Sequence, residues 1–400
     1  MNNETRKETQ VLPKDVRCVG ADDLTLSLFE NQYPVQPMGV SYNSYLILDE
    51  KIAVMDSVDA RAADEWLAKL AHELDGRSPD YLVISHMEPD HSGSILRLAE
   101  KYQEMKLVGN TKTFTMLRQF FGAKAPTDDR LLEVGEGETL PLGAHTLHFM
   151  LAPMVHWPEV MVAYEETEKL LFSADAFGRF GALSRTAGAP WAPQARRYYY
   201  NIVGKYGAQV QALLKKASAL EIKTVCPLHG PVLTGEALGE ALRLYDLWSR
   251  WQSESPDDIL LAHASIHGNT ARAAELFKQK LEAKGARVTL CDLTTTEVSY
   301  AVANAFYCGK LVLACSTYDG GLFPPMEEFL SHLQAKGFRS RTVGLMENGS
   351  WAPAAARLMR AKLEEMKDLR VCGTVVSLRS ALSPASEAQI DALTTELCAK

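Results

Sequence analysis

Tyr81-Leu82-Val83-Ile84-Ser85-His86-Met87-Glu88-Pro89-Asp90-His91-Ser92 decides how this chain reads. Residues 79–87 form a short apolar run of the kind that makes a buried strand. At its extended end alternate residues share a face, so His86 and Glu88 can point into one site. Pro89 forbids simple continuation and turns the chain. Asp90 and His91 then stand on the second side of the turn, before a predicted helix over 92–103 with Ser92 or Ser94 near its cap. Four ligand-type side chains within six positions can surround two metals rather than one.

On the N-terminal side, residues 40–48 and 51–58 predict a β-hairpin turning at Asp49-Glu50-Lys51, and 61–74 has helical apolar spacing. Residues 1–14 read as a loose polar arm without the apolar core of a secretory signal. On the C-terminal side, strands are predicted near 144–151, 160–166, 169–177 and 224–232, with helices over 195–220 and 236–252. His156, Asp175 and His229 each fall at the end of one of these strands, beside a polar or Gly/Pro loop, where sites are commonly built. The set then comprises four imidazoles and three carboxylates, with no thiolate. Such ligands suit iron, zinc or manganese and disfavour copper(I) and iron–sulfur clusters. Three carboxylates and a bridging hydroxide would neutralise two divalent ions, as a buried site requires. His72, His263 and His332 read as ordinary surface or core histidines, and His145 and His148 lie in a strand pattern with no carboxylate beside them.

Gln252-Ser253-Glu254-Ser255-Pro256-Asp257-Asp258 reads as a linker, dividing the chain into 1–255 and 256–400. Beyond it five strand patterns alternate with five helical ones, the mark of an open parallel α/β sheet. Three loops leave the carboxyl edge of that sheet, where ligands bind. Ser265-Ile266-His267-Gly268-Asn269-Thr270 offers hydroxyls and a helix N-terminus for a phosphate. Ser316-Thr317-Tyr318-Asp319-Gly320-Gly321 and Glu347-Asn348-Gly349-Ser350-Trp351 add the aromatic faces of Tyr318 and Trp351 for a flat ring.

Composition narrows the partners. A formal net charge of −8 without a basic run argues against nucleic acid and anionic membranes. No apolar run approaches a membrane span. Seven cysteines, an odd number with no CxxC pair, argue against a disulfide framework and for a reducing cytoplasm, and leave no rubredoxin-type iron site in this chain.

The segment His86–His91 resembles the HxExDH signature of flavodiiron proteins, and His156-Trp157-Pro158-Glu159, the stretch 175–183 and Pro227-Leu228-His229-Gly230-Pro231 follow in the family's order. The three loops of the second half resemble the flavodoxin phosphate and ring loops, and the stretch 347–353 is close to the flavodiiron version, while His267 stands where the flavodoxin phosphate loop has its central Thr. The resemblance spans about residues 15–395. It implies a metallo-β-lactamase-like αββα sandwich followed by a flavodoxin-like open sheet. It implies one iron on His86, Glu88 and His156, another on Asp90, His91 and His229, and Asp175 bridging them. It further implies FMN, reduction of O2 to water or NO to N2O, a rubredoxin-like donor, and a head-to-tail homodimer or a tetramer. Where many members carry Phe-His near the N-terminus, this chain has Phe29-Glu30. Two rival readings are a dizinc hydrolase with an attached flavodoxin-like half, and a flavin-only carrier or redox sensor.

Overall fold

The computed structural model describes residues 12–399. The polar arm expected over 1–14 thus lies, as far as residue 11, outside the described residues, while Leu12 is already part of the core. The chain divides into two compact units, Met1–Asp246 and Leu247–Lys400.

The first unit is built on two six-stranded sheets. One orders Val16–Cys18, Tyr45–Ile47, Ala53–Met55, Tyr81–Val83, Lys106–Gly109 and Leu131–Glu133. The other orders Thr139–Pro141, Thr146–Leu151, Met161–Glu165, Leu170–Phe172, Thr224–Cys226 and Leu233–Thr234. Alternation places Tyr45, Ile47, Ala53, Met55 and Val83 of the first sheet in one core with Leu147, Phe149, Met161, Ala163, Leu170 and Phe172 of the second. The residues between them, Leu46, Val54, Leu82 and Val162, are equally buried, as a sheet covered on both faces demands. Helix Ala63–Leu74 buries Trp66, Leu70 and Leu74, a stripe at four-residue spacing. This is the αββα sandwich.

Local departures from the sequence reading have physical causes. The strand expected over 40–48 is two strands, Val40–Tyr42 paired with Ala21–Asp23 and Tyr45–Ile47 paired with Ala53–Met55. It breaks because the Asn43 amide donates to the carbonyls of Pro227 and Gly230 at 2.8 and 2.7 Å. The helix expected over 195–220 is interrupted by a wide π turn at Tyr199–Val203.

In the second unit five parallel strands stand in the order Val288–Asp292, Ser255–Ala264, Cys308–Tyr318, Thr342–Asn348, Arg370–Leu378. By chain position this is 2-1-3-4-5, the flavodoxin-like winding. Residues 255–258, expected in a linker, belong instead to the first strand, where Arg287 binds Ser255 and Asp258 at 3.0 and 2.7 Å.

Candidate functional site

Three backbone anchors aim the decisive segment. Ile84 N–H donates to the Val108 carbonyl at 2.9 Å, Ser85 N–H to the Asp56 carboxylate at 2.7 Å, and Met87 N–H to Glu159 at 2.9 Å. Pro89 then opens a single helical turn, Pro89–Ser92, with Glu88 at its cap. His86 and Glu88 therefore approach from the strand side, and Asp90 and His91 from the turn.

The structure brings all seven expected side chains together around Asp175. One of its oxygens, Oδ2, lies 3.0 Å from His156 Nε2 and 3.6 Å from His86 Nε2. Glu88 closes that group at 3.1 Å from His156 and 3.3 Å from His86. The other oxygen, Oδ1, lies 3.1 Å from His91 Nε2 and 3.6 Å from His229 Nε2. Asp90 closes the second group at 3.3 Å from both imidazoles. One carboxylate thus faces two ligand-type sets, His86-Glu88-His156 and Asp90-His91-His229, each compact enough to hold a metal.

The donor chemistry fits cations. His229 Nδ1 meets the Ser41 carbonyl at 2.7 Å, which can only accept, so Nδ1 carries the proton and Nε2 turns its lone pair inward. His86 Nδ1 meets Glu159 Oε1 at 2.7 Å in the same way, which leaves Nε2 as the nitrogen that faces the site. Both Asp90 oxygens and Asp175 Oδ1 are buried without a hydrogen-bond donor. Buried carboxylates converging on imidazole nitrogens in this way are costly unless protons or metal ions lie between them.

At the carboxyl edge of the second unit the three expected loops lie side by side. Thr270 Oγ1 and Ser316 Oγ are 2.9 Å apart, and Asn348 Nδ2 donates to Thr270 Oγ1 at 3.2 Å. Of the large apolar side chains exposed in this unit, Ile266, Tyr318 and Trp351 stand on these loops, and Trp351 is 88% exposed. Such concentrated apolar exposure marks a surface meant to be covered. Gly268 at φ +84° and Gly320 at φ +74° face open space where a side chain would intrude on a ligand. Two expected contacts point elsewhere. Glu347 accepts from Ala356 N–H and the Ser377 hydroxyl, each at 3.0 Å, and Thr317 Oγ1 accepts from the Ala354 and Ala355 amides. Both brace the start of helix Ala355–Glu364.

Comparison with known proteins agrees with this geometry. Residues 40–230 match the model of a family described as ODP family beta lactamase. The chain is 27% identical over 358 residues to the rubredoxin-oxygen oxidoreductase of Megalodesulfovibrio gigas, with 87% of each chain covered. It is 27% identical to the nitric oxide reductase of Moorella thermoacetica, covering 87% of this chain and 88% of that one. The flavodiiron protein from Giardia intestinalis superposes with a TM-score of 0.86 at 25% identity, over 97% of this chain and 95% of that one. Over most of its length the chain is similar to flavodiiron proteins.

Two residues of this site escape a reading of the sequence. Glu159 is fully buried and holds His86. It accepts from His86 and from Met87 N–H through a single oxygen. Tyr198 is buried, its hydroxyl has no hydrogen-bond partner, and its ring centroid lies 5.5 Å from that of His229. A carboxylate after a proline and one of three successive tyrosines carry no local mark of either role. His145, expected to lack a carboxylate neighbour, sits between Glu165 at 3.0 Å and Asp15 at 2.8 Å, and His148 meets Glu166 at 2.8 Å. The first pairing ties residue 15 to the second sheet and is structural.

Electrostatics set up a competition for the imidazole nitrogens. Burial works against their protons, but the carboxylates outweigh it. His91 is pushed up to about 8 by Asp90 and Asp175. His156 is pushed up to about 9 by hydrogen bonds to Asp175 and Glu88. Burial raises Glu88, yet hydrogen bonds from His156 and His86 bring it down to about 2. Protons and metal ions thus contend for the same atoms. Metal affinity is expected to fall as pH drops below about 9 and then about 8. In the metal-free chain the sign reverses: these histidines stabilise fully below 6.5, and that stabilisation is lost as pH rises through about 8 and 9. Metal titrations and melting curves across this range check both statements. A pH-independent affinity would contradict them.

Proposed function

We propose that this chain is a flavodiiron protein, which reduces O2 to water or NO to N2O at a non-haem diiron site, with electrons entering through FMN from a rubredoxin-like carrier. The observation that carries this reading is Asp175, whose two oxygens face two separate sets of nitrogen and carboxylate donors. His86, Glu88 and His156 would hold one iron, Asp90, His91 and His229 the other, and Asp175 both. Residues 256–400 would hold FMN, with Thr270 and Ser316 near its phosphate and Tyr318 and Trp351 against its ring. Bound iron would supply redox chemistry and open coordination positions, and bound FMN would supply the electrons.

The protein's own groups prepare the pocket. Phe29, edge-on to His229 at 5.4 Å, and Trp157, edge-on to His86 at 5.2 Å, keep water from the imidazoles. Burial, reinforced by the charges of Asp175, Asp90 and Glu88, holds the Tyr198 phenol well above its ordinary pKa. Tyr198 Oη therefore keeps its proton and, having no partner, can donate it in a hydrogen bond to a ligand in the pocket. Tyr198→Phe is expected to lower turnover about 10-fold at unchanged metal content, the value of one charge-assisted hydrogen bond. Turnover equal to the unsubstituted protein would remove Tyr198 from the mechanism.

The finer assignments belong to the same proposal. A head-to-tail homodimer or tetramer would let the flavin of one copy serve the metals of another, and sedimentation of the loaded protein tests it. Seven cysteines, all free, support a cytoplasmic location. Among the described residues no helix is long and apolar enough to cross a membrane. The deciding experiment is anaerobic reduction of iron- and FMN-loaded protein, then exposure to O2 or NO. Rapid reoxidation with water or N2O as product is expected. Zinc in place of iron, with esterase or lactamase activity, would favour a hydrolase.

A further inference from the structure

A fourth turn, which the sequence does not mark, closes the ring-binding edge of the second unit. Asn348 and Leu378 are partners in the parallel register of the last two strands, so the residues after each leave side by side. Asn348 Oδ1 accepts from Ser380 N–H at 3.1 Å, and Asn348 Nδ2 donates to the Ser380 carbonyl at 3.0 Å. Gly349 N–H donates to the Leu378 carbonyl at 3.2 Å, and Ser380 Oγ donates to Ser350 Oγ at 2.7 Å. The clasp holds Ser380 at φ +71°, a left-handed conformation that a serine adopts only when its surroundings impose it. Through Asn348 the turn joins the Thr270–Ser316 web, so four loops form one hydrogen-bonded rim.

This rim carries one cation and two carboxylates, Asp319 and Glu347. Among residues 265–270, 316–321, 347–351 and 379–381, Arg379 is the only lysine or arginine. Its Nη1 donates to the Trp351 carbonyl at 3.3 Å, which ties it to the loop that carries the 88%-exposed indole. Glu347 turns its oxygens to the helix Ala355–Glu364 and to Ser377, and makes no ion pair with Arg379.

We propose that the Arg379–Ala381 turn is a fourth wall of the flavin site, and that Arg379 biases the bound ring toward its reduced form. This rests on the assignment of FMN to this edge. The neutral oxidised ring takes up two electrons from the external carrier and one proton, and becomes an anion. A fixed positive charge beside it stabilises that anion and does nothing comparable for the oxidised ring. Arg379 is a positioning and tuning residue and is not one of the metal ligands.

The test uses full-length protein freed of flavin and titrated with FMN, oxidised and then reduced under anaerobic conditions. Arg379→Gln, which can keep the bond to the Trp351 carbonyl but loses the charge, is expected to weaken binding of reduced FMN about tenfold more than oxidised FMN. That ratio equals a two-electron midpoint lower by about 30 mV. Arg379→Lys is expected to restore most of the difference. Equal weakening of both redox forms, or none, overturns the proposal while leaving the flavin assignment intact. Failure of the unsubstituted protein to bind FMN overturns both. Arg379 is exposed, and matching melting curves for the two variants show that neither change acts through folding.

Discussion

Asp175→Asn is expected to cost at least about 100-fold in turnover and to leave the purified protein with fewer than two metals per chain. The substitution keeps the shape of a side chain that is 1% exposed, so the sandwich has no reason to collapse. What changes is charge and lone pairs. Asp175 oxygens stand 3.0 Å from His156 and 3.1 Å from His91, one for each ligand set. An amide offers one acceptor and turns two N–H groups toward the other set. Its negative charge, which offsets a good part of two divalent ions in a dry site, is gone. Metal analysis beside an oxygen-electrode assay decides the matter. Two irons per chain with near-normal turnover would show that Asp175 is no bridge.

Glu159→Leu is expected to weaken metal binding by about 10–100-fold, the usual cost of removing the partner that orients a ligating histidine. Glu159 Oε1 takes the His86 Nδ1 proton at 2.7 Å and Met87 N–H at 2.9 Å. Its backbone carbonyl is in turn held by Asn110 Nδ2 at 2.6 Å. Without the carboxylate, His86 can rotate or change tautomer, and the segment leading to Glu88 loses an anchor. Glu159→Gln keeps an acceptor at the same place and should retain much of the affinity. Competition with a chelator measures both variants, and the melting temperature of the metal-free forms separates orientation from general instability. Metal bound as tightly by the leucine variant as by the original would end the argument for Glu159.

How much could be read in advance follows from how local each signal is. His86, Glu88, Asp90 and His91 were legible because Pro89 forces a turn among ligand-type residues, a pattern that a solvated surface has little reason to make. The 2-1-3-4-5 sheet was legible as parallel from the alternation of strands and helices, since each crossover needs its own helix. Glu159 was not, because what makes it functional is burial against a residue 73 positions away. Tyr198 lies among three consecutive tyrosines, and only the π turn that begins at Tyr199 decides which ring turns toward His229. The break at Asn43 depends likewise on carbonyls of the 227–230 loop. The polar residues 255–258 imitate a linker because polarity marks exposure, and an exposed strand end looks the same as a loop.

In the proposed site Asp175 stands between two irons and would bind both. Anomalous diffraction at the iron edge, from crystals of protein loaded with iron, tests it most directly. Two peaks are expected on either side of Asp175, one among His86, Glu88 and His156 and the other among Asp90, His91 and His229. A single peak, or iron only at sites remote from Asp175, would contradict it.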